Sequence, residues 1–195
     1  MRRVIITLLG LLLCISFAGC AKTPTAQDAQ SSQGDMTGLI TIDDYISNYN
    51  SNYDNLDSYI QGFLPGSLSK ASFSKEDTAT FTTYKLKEGA NLTLNCSGID
   101  GSVYYLEYVY YYPDYTGEYD DIRGTANLLV IELLYPLLKS EFEDSWTIMD
   151  IYGDLQENFK GQEVTQKIDN KIYSYSTYES GNDIALIYSV RIVNE

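Results

Sequence analysis

A run rich in tyrosine and valine at 102–112 constrains the fold of this chain more than any other segment. Tyrosine and valine favour strands, because aromatic and branched side chains pack well on a pleated surface. Pro113 ends the run, since proline offers no N–H to a sheet. Two shorter alternating segments, 80–87 and 91–97, precede it and are joined by glycine-containing connections. The pattern predicts a three-stranded antiparallel meander.

Helical spacing marks the segments on either side of this meander. Apolar residues recur at steps of three and four over 41–63, and Thr41 with Asp44 resembles a capping box. A second apolar stripe follows the meander and is interrupted by Pro136. Because proline lacks the N–H that a helix needs, we expect this helix to end or kink near Leu134.

The rest of the chain repeats the order of helix and strands. A helix is predicted over 145–160, although residues 145–152 fit a strand as well, and strands are predicted over 163–168, 171–178 and 184–193. Runs of strands beside helices predict an α+β fold. We expect an antiparallel sheet of about six strands, built from two three-stranded meanders, with about three helices. The repeated order also fits a duplicated αβββ unit.

The first 20 residues have the layout of a secretory signal. Two arginines precede an apolar run over 4–17, which is shorter than the roughly 20 residues that a membrane-spanning helix needs. The run ends in Phe17-Ala18-Gly19-Cys20, where small residues stand before a cysteine.

This ending resembles the lipobox of bacterial lipoproteins. The resemblance implies cleavage before Cys20 and a diacylglyceryl group on its sulfur, so that fatty acyl chains such as palmitate anchor the protein on the outside of a membrane. An ordinary cleaved signal with a chance cysteine is the alternative. The expected organisation is a signal peptide at 1–19, a lipidated cysteine and flexible tether at 20–38, and a single globular α+β domain at 39–195.

Composition argues against several classes of function. The chain has no histidine, which excludes histidine catalysis and histidine metal ligation. Its 27 acidic and 13 basic side chains give a net charge of −14, which argues against nucleic acid as a partner. Cys96 shares a predicted strand face with leucines, which indicates a small buried side chain. Motifs of nucleophilic, phosphate-binding or dinucleotide-binding enzymes do not occur, so we expect a protein without catalytic residues.

The tyrosines of the central run are the candidate binding residues. Tyrosine is favoured at recognition surfaces because it offers a large area and a hydroxyl at low entropic cost. We therefore expect an unknown protein or cell-envelope component to bind a tyrosine-rich sheet surface. The alternative is a core strand with ordinary cross-strand tyrosine pairing. The residues of the predicted surface are Tyr104, Tyr108, Tyr110, Tyr112 and Tyr115.

An acidic loop after the run supports a different hypothesis. Asp114, Glu118, Asp120 and Asp121 lie within eight residues, and hard cations such as calcium bind several carboxylate oxygens. The loop could serve a calcium-dependent domain or an enzyme with paired carboxylates. The spacing does not match an EF-hand, and acids before a helix also favour its N-terminus. We therefore expect no cofactor other than the covalent lipid on Cys20.

Overall fold

The computed structural model describes residues 40–115, 119–138 and 146–193. The predicted signal peptide and tether, including Cys20, lie outside the described residues. The described residues fall within one unit of the chain, Thr37–Glu195.

Seven strands form one antiparallel sheet in the order β1-β2-β3-β4-β7-β6-β5. Their bounds are β1 Phe73–Asp77, β2 Phe81–Leu86, β3 Asn91–Ser97, β4 Val103–Tyr112, β5 Val164–Ile168, β6 Lys171–Ser180 and β7 Asp183–Ile192. The α+β class is as predicted, but the sheet has seven strands rather than six. The first meander has four strands, and β4 pairs with β7 to join it to the second.

The additional strand is β1, which pairs antiparallel with β2. Only Phe73 of this strand is buried, opposite Leu86, and the four residues that follow it are exposed. An edge strand with a single buried side chain has no alternating pattern, so hydrophobic periodicity could not reveal it.

Within the part of the chain that the structure describes, four helices accompany the sheet. Their bounds are α1 Ile42–Tyr53, α2 Ser58–Gln61, α3 Tyr119–Leu138 and α4 Trp146–Glu157, and a short 3-10 turn covers Lys70–Ser72. Among the helices of the described ranges, none combines the length and apolar character that crossing a bilayer requires.

The first predicted helix is two helices. Its start is as predicted, because Thr41 and Asp44 form a reciprocal capping box. The helix ends at Tyr53, however, and a separate turn of helix begins at Ser58. Asp57 caps that turn, since its side chain accepts the Tyr59 N–H at 2.8 Å. A cap inside the predicted helix satisfies backbone donors locally and so favours a new start.

Pro136 was expected to end or kink its helix near Leu134, and the first of these two outcomes is wrong. The helix continues through Pro136 to Leu138. Side chains of α1 bind carbonyl groups near this end of the helix: the Tyr45 hydroxyl donates to Leu133 O at 2.8 Å, and the Asn48 amide donates to Pro136 O at 3.0 Å. The Pro136 carbonyl is one of the last four of the helix, which have no partner within it, and the bond from Asn48 satisfies it.

The ambiguous segment at 145–152 is helical from Trp146 onward. Its apolar residues at helical spacing face the core, as predicted, and the helix ends at Glu157 rather than at residue 160. A closed group of hydrogen bonds ties this helix to its neighbours. The side chains of Asn127 in α3, Gln156 in α4 and Tyr188 in β7 bind one another at 2.6 to 3.0 Å.

Candidate binding surface

The two faces of β4 have different surroundings. From Leu106 onward, the even-numbered residues of β4 face the helices. Tyr108 is 2% exposed and stacks on Tyr188, with ring centroids 6.2 Å apart. Tyr188 in turn meets Tyr152 of α4 edge-on at 5.3 Å. Burial raises the pKa of Tyr108 above its ordinary value. This face is therefore part of the hydrophobic core.

Three residues of the predicted tyrosine surface, Tyr108, Tyr110 and Tyr112, lie on this core face, so the prediction needs correction. Tyr108 is 2% exposed and stacks on Tyr188 inside the core, so it cannot contact a partner and its prediction as a binding residue is wrong. Tyr104, Tyr110 and Tyr115 are half-buried, and the last two pack against the core. Tyr112 is 40% exposed at the end of the strand. Aromatic residues stand on both faces of β4, so alternation alone could not choose the accessible one.

The opposite face of the central strands points away from α3 and α4, and we call it the open face. In strand register it combines odd-numbered residues of β4 and β7 with even-numbered residues of β6. It consists of Tyr105, Glu107, Val109, Tyr111, Ile172, Ser174, Ser176, Tyr178, Ala185, Ile187, Ser189 and Arg191. Glu107 was the sequence signal that could have identified this face, because a charged residue in a central strand favours the solvent side.

Hydrogen bonds organise the middle of the open face. The Tyr105 hydroxyl donates to Glu107 Oε2 at 2.6 Å, and the hydroxyls of Ser174 and Ser189 lie 2.7 Å apart on neighbouring strands. Burial, reinforced by the bond to Glu107, raises the pKa of Tyr105. The row of Glu107, Ser189 and Ser174 on the open face is therefore polar, and the neighbouring row adds the apolar Val109 and Ile187.

One end of the open face carries its most exposed aromatic residues. Tyr111 is 50% exposed and Tyr178 is 53% exposed, and both are aligned with Ala185, which is 7% exposed. The Tyr111 hydroxyl donates to Asp183 Oδ2 at 2.6 Å, and the Asp114 N–H donates to Asp183 Oδ1 at 3.0 Å. These two bonds, the hydroxyl first, lower the pKa of Asp183. Sequence analysis did not single out Tyr111, Tyr178 or Asp183.

The acidic loop lies largely outside the described residues. Glu118 falls in an undescribed segment, and the side chains of Asp120 and Asp121 at the start of α3 are not described either. Asp114 is exposed, and its positive φ of 51° places it in a left-handed turn. Within the described ranges, no three cysteine or acidic side chains come together as a metal-ligand group.

Cys96 is a free, buried thiol in β3, 2% exposed. Burial raises its pKa to about 11. Since only the thiolate is strongly nucleophilic, this side chain is a small core residue, as its sequence position predicts.

Two shallow clefts lie elsewhere on the described surface. The larger, about 440 Å³, lies between the 65–72 segment and the β2–β3 hairpin, and the smaller, about 270 Å³, lies between α4 and β5. Lys87 crosses the rim of the larger cleft, where its Nζ donates to Ala71 O at 2.9 Å. Neither cleft touches the open face.

Comparisons with protein-family models, curated protein sequences and solved structures give no match to this chain.

Proposed function

We propose that this chain is a lipid-anchored, extracytoplasmic binding protein without catalytic activity, and that it recognises a protein or cell-envelope component through the open face. The observation that carries the proposal is the pair of exposed tyrosines, Tyr111 and Tyr178, on the side of the sheet opposite the helices. Aromatic residues supply much of the binding energy at protein interfaces, particularly where small residues and hydrogen bonds fix their orientation.

The anchor is supported by the small residues before Cys20 and the short apolar run that precedes them. A diacylated cysteine gives stable membrane attachment, because two acyl chains bind a bilayer where a single chain binds only marginally. The net charge of −14 is compatible with a flexible connection that keeps the globular part away from anionic lipid surfaces.

Metabolic labelling with palmitate tests the anchor. We expect the wild-type chain to incorporate label and to remain in the membrane fraction, and Cys20→Ser to lose both properties. Cys14→Ser is the matched control, because it removes a cysteine that lies inside the predicted signal. Labelling of Cys20→Ser at the wild-type level would refute the anchor.

Site-specific photo-cross-linking tests the open face. A photoreactive amino acid at Ile187, half-buried in the middle strand of the open face, is expected to give a discrete cross-linked product in intact cells. The same amino acid at Asp150, an exposed position on α4, is the control for non-specific proximity. Equal products at the two positions, or none at Ile187, would contradict a binding role for the open face.

A further inference from the structure

Three neighbouring strands form an aromatic slot at one end of the open face. Tyr111 in β4 and Tyr178 in β6 are both in register with Ala185 in β7, which lies between them. Adjacent strands are about 4.8 Å apart, so the backbones of the two tyrosines are separated by about 10 Å. Tyr111 and Tyr178 are 50% and 53% exposed, whereas Ala185 between them is 7% exposed. We call this arrangement the Tyr111–Tyr178 slot.

One wall of the slot is held in place before any ligand binds. The Tyr111 hydroxyl donates to Asp183 Oδ2 at 2.6 Å, and the other oxygen of that carboxylate accepts the Asp114 N–H at 3.0 Å. Asp183 is itself fixed at the start of β7. A ring with a fixed orientation loses little conformational entropy when it contacts a ligand, so the slot is partly preorganised.

The charged side chains in the segments around the slot are all acidic. The segments that build it, 109–115 and 176–187, contain three carboxylates and no lysine or arginine. These carboxylates are Asp114, Glu179 and Asp183, and the chain as a whole carries a net charge of −14. The electrostatic potential at this end of the sheet therefore favours a cation.

We propose that the Tyr111–Tyr178 slot binds an arginine side chain from a basic segment of a partner protein. This inference rests on the proposed function, because it assigns a chemistry to the partner of the open face. A guanidinium group is flat, so it stacks between two aromatic walls, and the electron-rich ring faces attract its charge. The carboxylate of Asp183 lies beside the slot and adds a charge-assisted hydrogen bond. A lysine ammonium is more strongly hydrated and has no flat surface to stack.

Nuclear magnetic resonance of the full chain in neutral detergent, with ¹³C-labelled tyrosine, tests the proposal. The probe is N-acetyl-arginine amide, and the comparison probe is N-acetyl-citrulline amide, which has nearly the same shape without the charge. We expect saturable shifts of the Tyr111 and Tyr178 ring signals with the arginine probe and much weaker shifts with citrulline. Ring signals are assigned from Tyr111→Phe and Tyr178→Phe.

Variants separate the slot from general attraction to an acidic protein. Tyr178→Ala removes one wall without changing the charge, and loss of one exposed cation–π contact predicts a two- to fivefold weaker affinity, about 0.5–1 kcal/mol. Tyr59→Ala is the matched control, because Tyr59 is 71% exposed on α2. Tyr178→Phe keeps the ring and is expected to bind as the wild type does, which also shows that position 178 tolerates substitution.

Two outcomes overturn the inference. If Tyr178→Ala binds the arginine probe as tightly as Tyr59→Ala does, the attraction is non-specific. If citrulline binds as well as arginine, the slot takes neutral side chains. Both results leave the cross-linking at Ile187 untouched, so they reject the arginine slot without rejecting the open face as a binding surface.

Discussion

The buried group of Asn127, Gln156 and Tyr188 allows a quantitative prediction about stability. Asn127 donates to Gln156 Oε1 at 2.9 Å, and its own oxygen accepts hydrogen bonds from Gln156 Nε2 at 2.6 Å and from the Tyr188 hydroxyl at 3.0 Å. Gln156 Nε2 also donates to the Tyr188 hydroxyl at 3.0 Å. The three side chains join two helices to the central sheet, and Gln156 is only 7% exposed.

Two substitutions in this group have different expected costs. Tyr188→Phe removes a hydroxyl but leaves Asn127 and Gln156 bonded to each other, so we expect a loss of about 1 kcal/mol. Asn127→Ala removes the donor to Gln156 Oε1 and leaves that buried oxygen without this partner. Adding the desolvation penalty of a buried acceptor to the lost hydrogen bonds gives about 2–4 kcal/mol.

Urea unfolding followed by circular dichroism measures the difference. With a slope of about 2 kcal/mol per molar urea, Tyr188→Phe is expected to lower the midpoint by about 0.5 M and Asn127→Ala by about 1–2 M. Asn158→Ala is the matched control for the change of residue type, because Asn158 is exposed just after α4; it should shift the unfolding free energy by less than about 0.5 kcal/mol. The argument is refuted if Asn127→Ala is no more destabilising than Tyr188→Phe.

Three further predictions follow from single side chains. Desolvation raises the pKa of Glu132 in spite of the hydrogen bond from Asn52, so ionisation of this side chain opposes folding. Glu132→Gln should therefore raise the urea midpoint at pH 7. The gain should vanish below about pH 4, where the carboxyl is protonated in both the folded and the unfolded state. A larger gain at pH 4 than at pH 7 would contradict this sign. Burial raises the pKa of Cys96 to about 11. In a variant whose N-terminal cysteines are replaced by serine, a thiol reagent at pH 8 should therefore label Cys96 only when the chain unfolds. Rapid labelling of the folded chain would show that Cys96 is accessible. Gly98→Ala would place Cβ 2.9 Å from Thr80 O and should lower the free energy of unfolding by about 1–3 kcal/mol. Gly153→Ala in α4 would place Cβ where no atom lies within 4 Å, and it should raise the free energy of unfolding by up to about 1 kcal/mol. Similar melting temperatures for the two variants would contradict the steric argument.

Helical and strand periodicity were sufficient to predict most of the fold. The capping box at Thr41, the inward stripe of α4 and the paired strands around 102–112 all follow from local patterns that agree with the structure. The edge strand β1 and the break after Tyr53 could not be predicted in this way, because neither has a periodic signal. Their positions depend on tertiary contacts, such as the burial of Phe73 opposite Leu86.

The candidate site was harder to predict than the fold, because tyrosine suits both a core and a surface. Tyr108 and Tyr188 stack inside the core, while Tyr111 lies one residue away from Tyr112 and on the other face. The information that distinguishes a core tyrosine from a surface tyrosine lies in the neighbouring strands rather than in β4 itself. On the open face, the central strand β7 carries two small residues, Ala185 and Ser189, whereas on the core face the same strand carries large ones such as Leu186 and Tyr188.

That contrast gives the open face its predicted chemistry. A tyrosine beside large neighbours, as in the core, contributes area to packing, and its ring faces are covered on both sides. Tyr111 and Tyr178, which lie on either side of the small Ala185, remain about half exposed. At Ala185 the slot also has an acidic border, with Asp183 bonded to Tyr111. Replacing Ala185 by leucine should therefore abolish arginine binding in the titration while leaving Tyr111, Tyr178 and the net charge unchanged; undiminished binding by Ala185→Leu would place the arginine site elsewhere.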